Sequence, residues 1–239
     1  MNNSDAIPII TLDGPSGAGK GKIGLTLAQL LGWHFLDSGV FYRLLAFEAK
    51  ERNITLDNAA MLANLALTIQ PVFSIEKQPS LRLNVFWKDI NITQKLRTEA
   101  CALNAAKVSI YPAVRRALLQ RQRNFKKQPG LIADGRDMGT NVFPEANYKF
   151  FLTASSEIRA QRRYLQLKQQ GKYVNLNEIH STILQRDELD QTRSIAKLKA
   201  RPEADVIDTS DLSITQVVSI IYQKLSAIGL PTQTQNAAE

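Results

Sequence analysis

The chain has 239 residues, enough to bury a sizeable core, and its 44% hydrophobic and 22% charged content is that of an ordinary globular protein. No apolar run has the length of a membrane helix, the start "MNNSDAIPII" carries no signal-like pattern, and a single cysteine (Cys101) with two histidines excludes an internal disulfide or a multi-cysteine zinc site. A reducing cytoplasm is therefore expected, and the formal charge of +8 points either to nucleic acid or to a pocket that grips several phosphates.

"PIITLD" (Pro8 to Asp13) reads as a buried strand stopped by Gly14. "GPSGAGKGKIG" follows, with G-x-x-x-x-G-K intact from Gly14 to Lys20. Glycines there let backbone N–H groups converge on phosphate oxygens, and the helix that begins near Lys20 adds its positive dipole end. That helix is expected to end at Gly32. A second strand at Trp33–Asp37, a helix opened by Ser38 and a helix capped by Asp57 come next. From Pro71 to about Thr93 the alternation of Leu81, Leu83, Val85 and Trp87 predicts a small antiparallel sheet, inserted into the α/β unit.

Helical patterns resume from Ala100 to Lys107 and, with Pro112 near the first turn, from Val114 to Lys127. "GLIADGRD" (Gly130 to Asp137) is a strand ending in charge, and "YKFFLTA" is another. Two helices follow: one capped by Ser155 or Ser156, the other carrying Arg186, Asp190 and Arg193 on one face at i, i+4 and i+7. "ADVIDT" is the last strand and "SITQVVSIIYQKLSAIG" the closing helix, before a polar tail expected to be disordered. Strands alternating with helices predict a parallel sheet with ligands at the strands' carboxyl ends.

Arginines at strand ends or within motifs (Arg43, Arg136, Arg159, Arg163, Arg186, Arg193) suit phosphate, whereas Arg121 and Arg123 read as a solvated face. Asp13 and Asp134 each end a strand; each can hold water on a metal or simply orient the loop. Trp33, His34 and Cys101 read as structural.

"GPSGAGKG", "LDSGVFYR", "GLIADGRDMGT" and "RDELDQTRSIAKLKARPEADVIDTSDLS", in that order, resemble bacterial cytidylate kinases, a nucleoside monophosphate kinase family, from Ile7 to about Leu225. The resemblance implies an α/β P-loop NTPase three-layer fold with a parallel central sheet, a monophosphate-binding insertion containing the small antiparallel sheet, and a short helical lid. Residues 1–230 would form one kinase unit: core at 7–36, 128–185 and 203–230, monophosphate-binding region at 37–127, and lid at about 186–202, with a tail at 231–239. It also implies phosphoryl transfer from ATP to CMP and dCMP with Mg²⁺, by a cytoplasmic monomer without nucleic-acid or membrane partners.

Carried over by motif, Gly14, Pro15, Ser16, Gly17, Ala18, Gly19, Lys20, Gly21 and Lys22 hold the ATP phosphates, with Arg159 and Arg163 on the same side. Asp37, Ser38 and Arg43 match the monophosphate side, and Arg115 with Asp137 would read the cytosine edge. Lys20, Arg136, Arg186 and Arg193 would neutralise the transferring phosphoryl group, and Asp190 would meet the ribose. No protein residue is expected to ligate the metal directly. Two positions depart from the family's pattern: Lys22 stands where threonine is usual, and one alignment puts Ala106 in place of a serine that meets the base, with Ser109 a turn further on. Two other readings stay open: a non-enzymatic nucleotide or RNA binder, and a kinase for a different small acceptor.

Overall fold

The computed structural model describes residues 7–78, 80–192, 196 and 198–227. In chain order the elements are β1 (Ile9–Asp13), α1 (Lys20–Leu31), β2 (His34–Asp37), α2 (Ser38–Glu51) and α3 (Ala59–Ala66). The small sheet β3 (Val72–Glu76), β4 (Arg82–Trp87) and β5 (Ile90–Asn91) precedes α4 (Thr93–Leu96), α5 (Glu99–Val108) and α6 (Pro112–Arg123). β6 (Leu131–Asp134), a π-helical turn (Met138–Val142), β7 (Tyr148–Thr153), α7 (Ser156–Gln169), α8 (Leu176–Thr192), β8 (Asp205–Asp208) and α9 (Ile214–Ala227) complete the described chain.

The main sheet runs β2-β6-β1-β7-β8, every pair parallel. β1 is buried at all five residues because it lies in the middle of this sheet and helices cover both faces. Alternate side chains feed two separate cores. Ile9, Leu36, Leu131 and Ala133 pack with apolar residues of α2, α3, α5 and α6, while Ile10, Leu12, Ile132 and Phe150 pack with those of α1 and α9. The expected three-layer P-loop fold is therefore present.

Local signals set most boundaries. α1 begins after Gly19 and ends at Gly32, both left-handed (φ 88° and 66°), a conformation that costs glycine little. Ser155 caps α7 by accepting from the Ile158 N–H at 3.3 Å. At α3 the cap is Asn58, not Asp57: its Oδ1 accepts from the Met61 N–H at 3.1 Å, because the chain turns helical only at Ala59.

The antiparallel sheet β3-β4-β5 forms where the alternation predicted it, with Leu83 and Val85 buried. Phe73 joins it to the core, meeting Phe41 edge-on at 6.4 Å and Phe125 at a tilt at 5.1 Å between ring centroids. Such aromatic pairs add about 0.5–1.5 kcal/mol each beyond burial. Arg123 corrects the solvated-face reading: it is half-buried, and its Nε donates to Val142 O at 2.8 Å, tying α6 to the π-helical turn. Arg121 is also half-buried. Trp33 packs on Gly130, leaving no room there for a side chain, and His34 meets Gln128 O at 2.9 Å. The expected tail at 231–239 lies outside the described residues.

Candidate active site

The glycine-rich loop lies at the carboxyl end of β1. Gly14 (φ 143°) runs so close to β7 that an added Cβ would sit 1.9 Å from Leu152 O, so no other residue fits. Lys20 opens α1 almost wholly buried, its Nζ donating to Pro15 O at 2.7 Å. Arg159 lies beneath the loop, where it donates to Ser16 O at 3.1 Å and Ala154 O at 3.0 Å. The same guanidinium grips Asp187 of α8 with two bonds, 3.1 and 2.5 Å. Arg159 thus braces the loop against α8.

A cavity of about 680 Å³ opens beside the loop, within the usual range for small-molecule sites. Among the described residues, eight lysines and arginines but only four aspartates line it, a surplus that suits a polyanion. Lys20, Gly21, Asp37, Ser38, Arg43, Arg115, Arg136, Asp137, Arg163, Arg186 and Asp190 all line it. Arg43 faces Asp37 at 3.6 Å. Arg136 Nε donates to Asp190 Oδ2 at 2.8 Å, which docks α8 onto the loop after β6. Arg163 bonds Glu99 and donates to Gln166 at 2.7 Å. Arg193 lies outside the described residues.

Arg115 and Asp137 form a buried ion pair in the cavity wall. Arg115 also donates to Ser109 O at 3.2 Å and lies over the Tyr42 ring, 5.5 Å from its centroid. Ala106 lines the cavity here, and the Ser109 hydroxyl, also at the cavity, donates back to Ala106 O at 2.8 Å.

Asp13 and Asp134 have separate surroundings. Both Asp13 oxygens accept backbone N–H bonds at 2.8 Å, from Met138 and Gly139, so this carboxylate organises the π-helical turn. Burial nevertheless raises its pKa to about 7. Asp134 lines the cavity, and burial raises it to about 6 against the pull of Lys20. Lys20 is lowered to about 7, first by burial and then by Arg136. Arg186 is lowered to about 10 by burial and by Arg136 and Arg43. Each shift disfavours charge in an enclosed site whose cations crowd together.

Lys22 lines the cavity mouth but is exposed, and its Nζ donates to Leu81 O at 3.0 Å. It is not turned onto the loop as Lys20 is.

Comparison with known proteins decides the family. The cytidylate kinase family model matches residues 10–227. The chain belongs to the cytidylate kinase family. It is 49% identical to the cytidylate kinase of Methylococcus capsulatus over 216 residues, 90% of this chain and 96% of that one. It is 48% identical to the cytidylate kinases of Pseudomonas entomophila (93% of this chain, 97% of that one) and Colwellia psychrerythraea (91% and 95%).

Sequence reading missed several residues at this family site. Ala102 and Ala105 line the cavity through helical packing, which leaves no motif, whereas Tyr42, also in its wall, sits inside the quoted "LDSGVFYR". Arg162, which clusters in sequence with Arg159 and Arg163, bonds the backbone after β8 at Ser210 O and Leu212 O (3.3 and 3.4 Å). Asp187, the partner of Arg159, sits inside the quoted "RDELD" and was the most legible of the omissions.

Proposed function

We propose that this chain transfers the γ-phosphoryl group of ATP to CMP and dCMP, giving ADP and CDP or dCDP. One observation carries the reading beyond family membership: a single cavity is lined by a glycine-rich loop with a buried lysine, by a buried arginine–aspartate pair and by further arginines. The acceptor phosphate is already an anionic nucleophile, so the protein must align two polyanions and neutralise charge rather than supply a base.

In this reading the loop amides from Gly14 to Lys22 and the start of α1 hold the triphosphate, and Lys20 meets its β and γ groups. Arg43 binds the acceptor phosphate with Asp37 and Ser38 beside it, while Arg136, Arg186 and Arg193 gather on the transferring group. Asp190 takes the ribose hydroxyls, and Arg163 adds charge near the donor. Arg115 donates to cytosine O2 and N3 and Asp137 accepts from the N4 amine; uracil would set its O4 against the carboxylate.

Asp134 fits a magnesium ion that arrives with the triphosphate, being a buried carboxylate on the loop cavity with Lys20 opposite. No cluster of His, Cys, Asp or Glu among the described residues forms a protein cage, so phosphates and water would supply the ligands, with Asp134 holding one of those waters. Bound there, Mg²⁺ would neutralise phosphate charge. No helix among the described residues is long and apolar enough to cross a membrane. A cytoplasmic monomer acting on free nucleotides completes the proposal, supported by the single cysteine.

The test is ADP release from ATP and Mg²⁺ with CMP, dCMP, UMP or AMP as acceptor. Turnover with CMP and dCMP well above UMP and AMP supports the reading. A protein that binds ATP yet transfers to none of them, and binds RNA with a steep salt dependence, would be the non-enzymatic binder instead.

A further inference from the structure

The small sheet leaves one edge of β4 only partly covered. β5 pairs with Phe86 and Trp87 alone. Backbone groups two residues apart on a strand point the same way. Val85 is satisfied on this edge by Thr93 Oγ1 (2.8 Å to its N–H) and by the Ile92 N–H (2.9 Å to its carbonyl). Leu83 and Leu81 continue the edge, and each carbonyl is met by a cation instead of a strand. Arg97 donates to Leu83 O at 2.9 Å and Lys22 to Leu81 O at 3.0 Å.

Lys22 itself lines the cavity, and Arg97 adjoins it through its carbonyl, which accepts from the cavity-lining Arg163 at 3.3 Å. Lys22 is in the first turn of α1, directly after the loop, and its N–H bonds Gly19 O at 3.1 Å. Arg97 closes α4, and Asp37 and Arg43, at the acceptor-phosphate position, are the two side-chain charges that act on it most. Leu81 directly precedes β4, and extended backbone cannot stretch appreciably, so a shift at Leu83 is carried to Leu81. A cation in a helix's first turn opposes the dipole, and reaching out to a neutral carbonyl relieves that conflict for Lys22.

We propose that this edge of β4 is a strap between the donor and acceptor halves, and that Lys22 and Arg97 are its positioning residues. The proposal rests on the kinase reading for where the two nucleotides lie. An acceptor that draws Asp37 and Arg43 onto its phosphate changes the setting of Arg97, and the strand passes this through Leu81 and Lys22 to the helix that frames the loop. Coupling of this kind is reciprocal: acceptor tightens donor binding by the factor that donor tightens acceptor binding.

Calorimetric titration with a non-hydrolysable ATP analogue, with and without saturating CMP, tests it on the full chain. In the wild type CMP should tighten analogue binding by about fivefold or more, the lower range of allosteric couplings. Lys22→Met and Arg97→Met should each reduce that factor below about twofold, and the double variant should fall no further, as expected of two ends of one connection. Lys22→Arg, which can still reach the carbonyl, should restore it. Absence of coupling in an active wild type, or coupling that survives both single variants, would overturn the strap. So would a Lys22→Met protein that binds the analogue more than about tenfold weaker without CMP while keeping its coupling factor, since Lys22 would then be a phosphate ligand. Failure of the kinase reading looks different: the wild type itself would bind no CMP or transfer nothing to it.

Discussion

Arg115 and Asp137 form an ion pair with side chains only 8% and 5% exposed, in the wall of the same cavity that Lys20 lines. Such a pair is rigid before any nucleotide arrives, and removing one partner strands the other charge. Arg115→Met should therefore destabilise the fold by about 3–5 kcal/mol, visible in urea or thermal unfolding. Asp137→Asn keeps the shape, removes the charge and offers an amide donor. We expect it to lower kcat/KM for CMP by one to two orders of magnitude, the loss of a hydrogen bond to a charged group, while raising the UMP-to-CMP ratio. An unchanged ratio would remove Asp137 from base selection.

Asp13 and Asp134 should respond to substitution in opposite ways. Asp13 accepts two backbone N–H bonds, so Asp13→Asn turns one acceptor into a clashing donor at a cost of about 1–3 kcal/mol, read as a lower melting temperature with unshifted Mg²⁺ dependence. Burial raises the folded pKa of Asp13 from 3.8 to about 7. Its protonated form thus favours the folded state, and this contribution is full below about pH 4 and fades as pH rises through 7; Asp13→Asn should flatten that slope. Asp134→Asn should leave the melting temperature nearly intact and raise the Mg²⁺ concentration needed for half-maximal rate. The converse pattern would exchange their roles.

Lys20 should take up a proton when ATP binds. Its pKa without nucleotide is lowered from 10.5 to about 7, so the side chain is largely neutral above that pH, and the triphosphate's charge favours the ammonium form. Between about pH 7 and 10, binding therefore weakens as pH rises. Calorimetry at pH 8.5 in two buffers of different ionisation enthalpy should report uptake approaching about one proton per site. Uptake of none would mean that Lys20 is already charged in the free protein.

The sequence by itself determined the loop, the order of strands and helices, the inserted sheet and the motif arginines. These follow from local rules: glycine where φ is positive or the backbone crowds, apolar periodicity, and caps. Asn58 against Asp57 marks the limit of such rules, since neighbouring residues can serve equally as caps and only the turn of the chain selects one. Tertiary structure decided what no local pattern encodes. It used Asp13 to hold the π-helical turn and left Asp134 facing the cavity, although both residues end a strand. It put Arg159 under the loop with Asp187, and sent Lys22 across 59 positions of sequence to a carbonyl of the inserted sheet. A charged side chain bonds whatever packing brings within reach, and that depends on how distant elements pack together.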